Sequence, residues 1–291
     1  MRVNHRIAWL DVFAERPLAG NGLAVVDDAD AVADKAMLAL ARELRLAETT
    51  FVQSADAEGA HYRNRIYTVQ MEIPFAGHPS LGTAVAVARW RGLEEASFVQ
   101  ETQAGLQPIN VRRDGDRWRA DMVQNEPEFG TPLDSEEAMH AVGLSSAEAH
   151  QDLPPQVVST GLPTAIVPVS DAGSLARAAP NFESINALLR DAEPRAGETP
   201  TFYLVWVDEE AESARARMFS RAVIGGEDPA TGSAAGPLGA YLSAQAGRER
   251  IVISQGEEMG RPSVLEVEMV EGRPRVGGGV IPVIDGEVSL R

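Results

Sequence analysis

The 291-residue chain has no cysteine, which removes disulfides, thiolate metal sites and thiol nucleophiles together. Positive charge is scarce as well: 26 basic residues stand against 43 acidic ones, a formal charge of −17. A field of that sign repels nucleic-acid phosphates and anionic lipid, so neither nucleic acid nor a membrane is expected as a partner. No apolar run approaches the roughly 20 residues that span a bilayer. Met1 to Arg6 lack the apolar stretch of a secretory leader, and the expected location is the cytoplasm. Outside His78, the histidines (His5, His61, His140 and His150) fall in no ligand spacing such as H-x-H or H-E-x-x-H, so no metal is expected. Gly277-Gly-Gly279 lacks both a following Gly-Lys-Ser/Thr and a G-x-G-x-x-G spacing. It reads as a turn or bulge, and no cofactor is expected.

What is present is enough to fold. At 44% hydrophobic content the length allows two ordinary domains or one large one. Ile7 to Phe13 reads as a strand, Arg16 to Gly22 as a turn and Leu23 to Val26 as a second strand. Met37, Leu40, Ala41 and Leu44 follow the spacing of one buried helical face, with Asp34 as a cap. The β-branched and aromatic run after Glu48 reads as a strand, which puts Glu48 at a helix-to-strand junction. Glu126 to Asp134, with Pro127, Gly130 and Pro132, is the expected linker, followed by a helix over Ser135 to Val142. The expected halves are residues 1–126, with strands of about 275–291 returning to them, and residues 127–274.

Two stretches resemble one another: Gly77-His-Pro-Ser-Leu-Gly-Thr-Ala84 and Glu227-Asp-Pro-Ala-Thr-Gly-Ser-Ala234. A shift of 150 positions brings Pro79 to Pro229, Gly82 to Gly232, Thr83 to Ser233 and Ala84 to Ala234. Each is followed by an apolar helical run and preceded by an arginine-rich strand, so a duplicated unit is the simplest reading. Pro237 would sit inside a helix begun at Pro229, at about 3 kcal/mol, so that helix is expected to start near Gly232 or Ser233. Free N–H groups at such a start hold a carboxylate or an enolate-like oxygen. The same shift brings His78 level with Asp228.

Two readings of these residues stay open on the residues alone. Glu48, His78 and Asp228 form a proton-handling set if burial brings them near neutral pKa. Alternatively, Glu48 is one surface acid among 43, while His78 and Asp228 cap helices. Ser233 lacks the G-x-S-x-G setting of a hydrolase nucleophile.

Four blocks carry a family resemblance: Asp11-Val-Phe13 with Pro17-Leu-Ala-Gly-Asn21, Ala47 to Val52, Pro74 to Ala84, and Gly226 to Ala234. In this order they resemble the motifs of PhzF-like proteins of phenazine biosynthesis, over essentially the whole chain. The resemblance implies an α+β, diaminopimelate-epimerase-like fold of two pseudo-symmetric halves. Each half is a curved, mostly antiparallel sheet wrapped around a central helix, with the active site between the halves. It implies a homodimer and a cofactor-independent isomerase of a small, cyclic carboxylic acid, with Glu48 moving a proton between two carbons. His78 and Asp228 match the family's polar partners, and Gly77, Gly232 and Ser233 match positions that hold the substrate. Ala47, where a serine is common, and Gly22, where a proline is common, depart from the pattern; neither departure removes a catalytic group, and both are compatible with a substrate other than the phenazine precursor. Relatives of this fold that invert a stereocentre use two thiols, which this chain lacks. Tyr67, Phe75 and Phe219 are candidates for an apolar wall, and a non-catalytic carboxylate binder is the alternative function.

Overall fold

The computed structural model describes residues 3–190, 192, 200–208 and 210–290; Met1, Arg2 and Arg291 lie outside the described residues. The chain forms two compact units, Met1–Met122 with Gly277–Arg291, and Val123–Val276.

In the first unit β1 (Val3–Val12) pairs antiparallel with β2 (Asn21–Val26). Helix α1 (Asp34–Leu44) then crosses over to β3 (Glu48–Gln53), parallel to β2. Strand β4 (Tyr62–Tyr67) returns antiparallel and pairs with the two-residue β5 (Glu72–Ile73). Helix α2 (Gly77–Trp90) crosses to β6 (Glu95–Thr102), parallel to β4, and β7 (Gly105–Asp114) and β8 (Arg117–Val123) follow as antiparallel neighbours. Strand β17 (Arg273–Leu290) pairs with both β1 and β8, which closes the sheet on itself.

Helix α2 runs inside this closed sheet. All twelve residues from Gly77 to Ala88 are buried, as expected of a helix apolar all round. Gly82 lets it approach: a Cβ there would stand 2.5 Å from Leu23 Cδ2 and 2.8 Å from Val12 Cγ2. The outer face carries α1, whose Met37 and Ala41 pack with Val26, Phe51 and Tyr67. Asp34 is the first residue of α1 and not its cap, a place taken by Ala33.

The second unit repeats this order. Strand β10 (Gln156–Ser159) pairs antiparallel with β11 (Pro163–Val169). The crossover holds α4 (Ala172–Arg177) and α5 (Phe182–Arg190) and leads to β12 (Thr201–Asp208), parallel to β11. Then come antiparallel β13 (Ser213–Phe219) and the two-residue β14 (Glu227–Asp228). Buried α6 (Gly232–Ala246) crosses to β15 (Arg250–Gln255), parallel to β13, and β16 (Ser263–Val270) closes antiparallel. Helices α3 (Ser135–His140), α4 and α5 cover the outer face through Met139, Leu175, Ile185 and Leu189. The α+β class and the duplication are thus both present.

Three local expectations are corrected. The supposed linker holds β9 (Glu128–Pro132), which pairs with β10. The tail is one long strand instead of two, and its glycines make no turn. They serve close approach: a Cβ on Gly277 would stand 2.8 Å from the Ala120 carbonyl oxygen and one on Gly279 2.3 Å from that of Ala14. The start expected for α6, near Gly232 or Ser233, is the one observed: Pro237 is its sixth residue and leaves the Ser233 carbonyl without its intrahelical donor, yet the helix continues through it.

Candidate active site

Glu48 opens β3, directly after the left-handed Arg45 has ended α1. Its carboxylate is 16% exposed, and Oε2 lies 3.4 Å from Nε2 of His78. His78 is the second residue of α2, and its ring is buried. Burial pushes its pKa down to about 3, so the imidazole is uncharged at neutral pH. Its other nitrogen, Nδ1, lies 3.4 Å from Nδ2 of Asn21, a buried residue at the start of β2. An amide Nδ2 only donates, so Nδ1 accepts and the ring proton sits on Nε2, facing Glu48.

The α2 start has no side-chain cap, because Ala76 at the N-cap offers none. The N–H groups of Gly77 and His78 therefore point out of the first turn without an intrahelical acceptor. Ser80 Oγ donates to the Ala76 carbonyl at 2.7 Å and accepts from Gln100 Nε2 at 2.7 Å, which fixes this turn from below. Thr50 and Thr83 hydroxyls meet at 2.8 Å and tie α2 to β3.

In the second unit α6 starts in the same way. Thr231 at its N-cap has its hydroxyl engaged elsewhere, donating to Asp228 Oδ2 at 2.6 Å and accepting from Gln255 Nε2 at 3.0 Å. The first-turn N–H groups are those of Gly232 and Ser233. Gln255 Nε2 also donates to the Asp228 carbonyl at 2.7 Å, and Tyr203 OH donates to Gln255 Oε1 at 2.9 Å.

These positions overturn parts of the sequence reading. Neither His78 nor Asp228 caps a helix. They are also not equivalent: the strand registers and helix starts match Glu72 with Glu227, Ile73 with Asp228 and Gly77 with Gly232, five positions off the shift read from the motifs. His78 corresponds to Ser233. Tyr67 and Phe219 lie in the outer clusters under α1 and under α3 to α5 and make no wall beside the helix starts; Phe75 stays next to Gly77 in the loop before α2. Asn21 was passed over as part of a turn motif, and its place as the first residue of a buried strand was the available signal. Among the described residues no group of three or more His, Asp or Glu could hold a metal, and no helix is long and apolar enough to cross a membrane. The chain's one lysine, Lys35, is exposed on α1.

The model of the phenazine biosynthesis-like proteins, PhzC-PhzF, matches residues 10–286. The chain belongs to this family. It is 33% identical over 263 residues to the trans-2,3-dihydro-3-hydroxyanthranilate isomerase of Pseudomonas aeruginosa, covering 89% of this chain and 88% of that one. A solved structure of a predicted epimerase from P. aeruginosa superposes with a TM-score of 0.82 at 38% identity, over 98% of this chain and 99% of the other. A hydroxyproline epimerase from Agrobacterium vitis shares the fold alone, with a TM-score of 0.61 at 14% identity over 100% and 94% of the two chains. This PhzF-like chain is an isomerase of a small molecule.

Proposed function

We propose that the PhzF-like chain isomerises a small, cyclic carboxylic acid without a cofactor, Glu48 moving a proton between two carbons of the ring. The reading rests on one observation: the Glu48 carboxylate, still 16% exposed, lies 3.4 Å from Nε2 of the buried His78 ring. A carboxylate so placed accepts a carbon-bound proton on one oxygen, while the histidine Nε2–H holds the other oxygen in place. Removing that proton leaves charge on the substrate's conjugated carboxylate. First-turn N–H groups of a helix are suited to hold it. Glu48, now protonated, returns the proton to a second carbon on the same face.

The same reading gives Gly77, Gly232 and Ser233 to substrate binding and makes Asp228 a second polar partner in catalysis. It takes the chain to be a cytoplasmic homodimer, which sedimentation of the purified protein checks. The Pseudomonas relative is named for a dihydro-hydroxyanthranilate, and that compound heads a panel of small cyclic carboxylic acids for the test. Glu48→Gln, with an unchanged circular-dichroism spectrum, is expected to convert none of the acids that the wild type isomerises. A near wild-type rate in that variant removes Glu48 from the mechanism.

A further inference from the structure

Both units carry an arginine that spends its whole guanidinium fork in the same way. In the first, Arg65 on β4 donates from Nε to Glu72 Oε1 at 2.8 Å and from Nη2 to Glu72 Oε2 at 2.6 Å. Its Nη2 also donates to the Tyr67 hydroxyl at 2.6 Å and its Nη1 to Asp34 at 2.7 Å, in the first turn of α1. In the second, Arg217 on β13 donates from Nε and Nη2 to Glu227, both at 2.8 Å, and from Nη1 to the carbonyls of Leu175, Ala176 and Ala178 at the end of α4. Each guanidinium lies over the aromatic ring two residues on, 5.4 Å from Tyr67 and 4.9 Å from Phe219.

The registers agree too: Tyr67 is opposite Glu72, and Phe219 is opposite Glu227. Two of the three inward pairs on these strands differ, Tyr62 and Asn64 in one unit against Ala214 and Ala216 in the other, while the outward arginine and the ring two residues on recur.

Strands β5 and β14 have two residues and two ladder pairings each. A strand this short does not fix its own direction, yet after three intervening residues the chain enters a buried helix, at Gly77 in one unit and at Gly232 in the other. Glu72 and Glu227 are the grips on these strands. On β14 the next side chain, Asp228, points to the opposite face and bonds Thr231. A pull on Glu227 therefore sets Asp228 and the helix start together.

We propose that Arg65 and Arg217 are positioning residues for the isomerase, each fixing one two-residue strand to the crossover helix so that the following helix presents its N–H groups in one direction. The proposal rests on the role given above to those helix starts. Arginine is needed because lysine, a point charge, cannot grip a carboxylate with two parallel bonds and hold a helix end as well.

The test uses the full chain labelled with ¹⁵N and benzoate as probe, with Arg65→Lys, Glu72→Gln, Arg217→Lys and Glu227→Gln. In Arg217→Lys and Glu227→Gln the free-protein amide signals of Gly232 and Ser233 should move while those of Gly77 and His78 stay. Arg65→Lys and Glu72→Gln should do the reverse. Benzoate affinity should fall by on the order of tenfold or more in each, with folding intact by circular dichroism. Unmoved helix-start amides with only a lowered melting temperature would show a purely structural pair and overturn the proposal. Should wild-type protein fail to bind benzoate, the anion-holding role of the helix starts fails, while the amide shifts still decide the arginines.

Discussion

His78 faces Glu48 across 3.4 Å with an imidazole that burial keeps uncharged. Its pKa is about 3 in the folded chain against 6.5 for an ordinary histidine, so between these values the unfolded chain binds a proton that the folded chain refuses. Stability then falls on acidification through that window, by up to about 1.4 kcal/mol per pH unit, and above pH 6.5 the group has no effect. Urea unfolding of wild type and His78→Asn at pH 7.5, 6, 5 and 4.5 checks this. The wild type should lose roughly 2.5 kcal/mol more than the variant between the ends of the series; parallel curves would mean that His78 takes up a proton in the fold.

The distance between base and substrate should matter more than its charge alone. Glu48→Asp keeps the carboxylate but withdraws it by one methylene from the end of β3. Turnover should fall by on the order of a hundredfold, while the melting temperature stays within about 2 °C because the charge is kept and only one methylene is lost. A loss below tenfold would show that the carboxylate need only be nearby.

The buried helices and the duplication were legible because they are local: an apolar run after a glycine-rich turn reads the same anywhere in a chain. The residue match within the repeat was not. Pro79 and Pro229 look alike in sequence, but Pro79 lies within the first turn of α2, where its missing N–H costs little, and Pro229 lies in the loop before α6. The Arg65–Glu72 and Arg217–Glu227 pairs were invisible for a different reason. They join neighbouring strands, and only the register of those strands brings them together. The arginine-rich stretches were legible as strands, though not that Tyr67 and Phe219 on them face the outer helices.

Strand β17 offers a contrast between two glycines of one strand. A Cβ at Gly279 would stand 2.3 Å from the Ala14 carbonyl oxygen, backbone that cannot swing away, whereas at Gly286 the nearest atom is Ile7 Cγ2 at 3.9 Å. Gly279→Ala should destabilise by about 2 kcal/mol or more, and Gly286→Ala should stay within about 0.5 kcal/mol of wild type. Equal melting temperatures for the two variants would mean that β17 shifts away from Ala14 at no cost.

Gln124 and Gly236 occupy one space at the start of α6. Gln124 Nε2 donates to the Gly232 carbonyl at 2.9 Å and its Oε1 accepts from Thr160, while a Cβ on Gly236 would fall 1.9 Å from that same oxygen. Gly236→Ala must therefore expel the Gln124 side chain, breaking both bonds and leaving buried polar groups unpaired, at about 2–3 kcal/mol. Gln124→Ala breaks the same bonds and opens the space that the new methyl needs. Once it is made, Gly236→Ala no longer has anything to expel, and an alanine suits a helix better than glycine. The double variant should be no less stable than Gln124→Ala alone, a coupling of about 2 kcal/mol in a double-mutant cycle by urea unfolding. Additive losses would show that Gly236 is required by something other than Gln124.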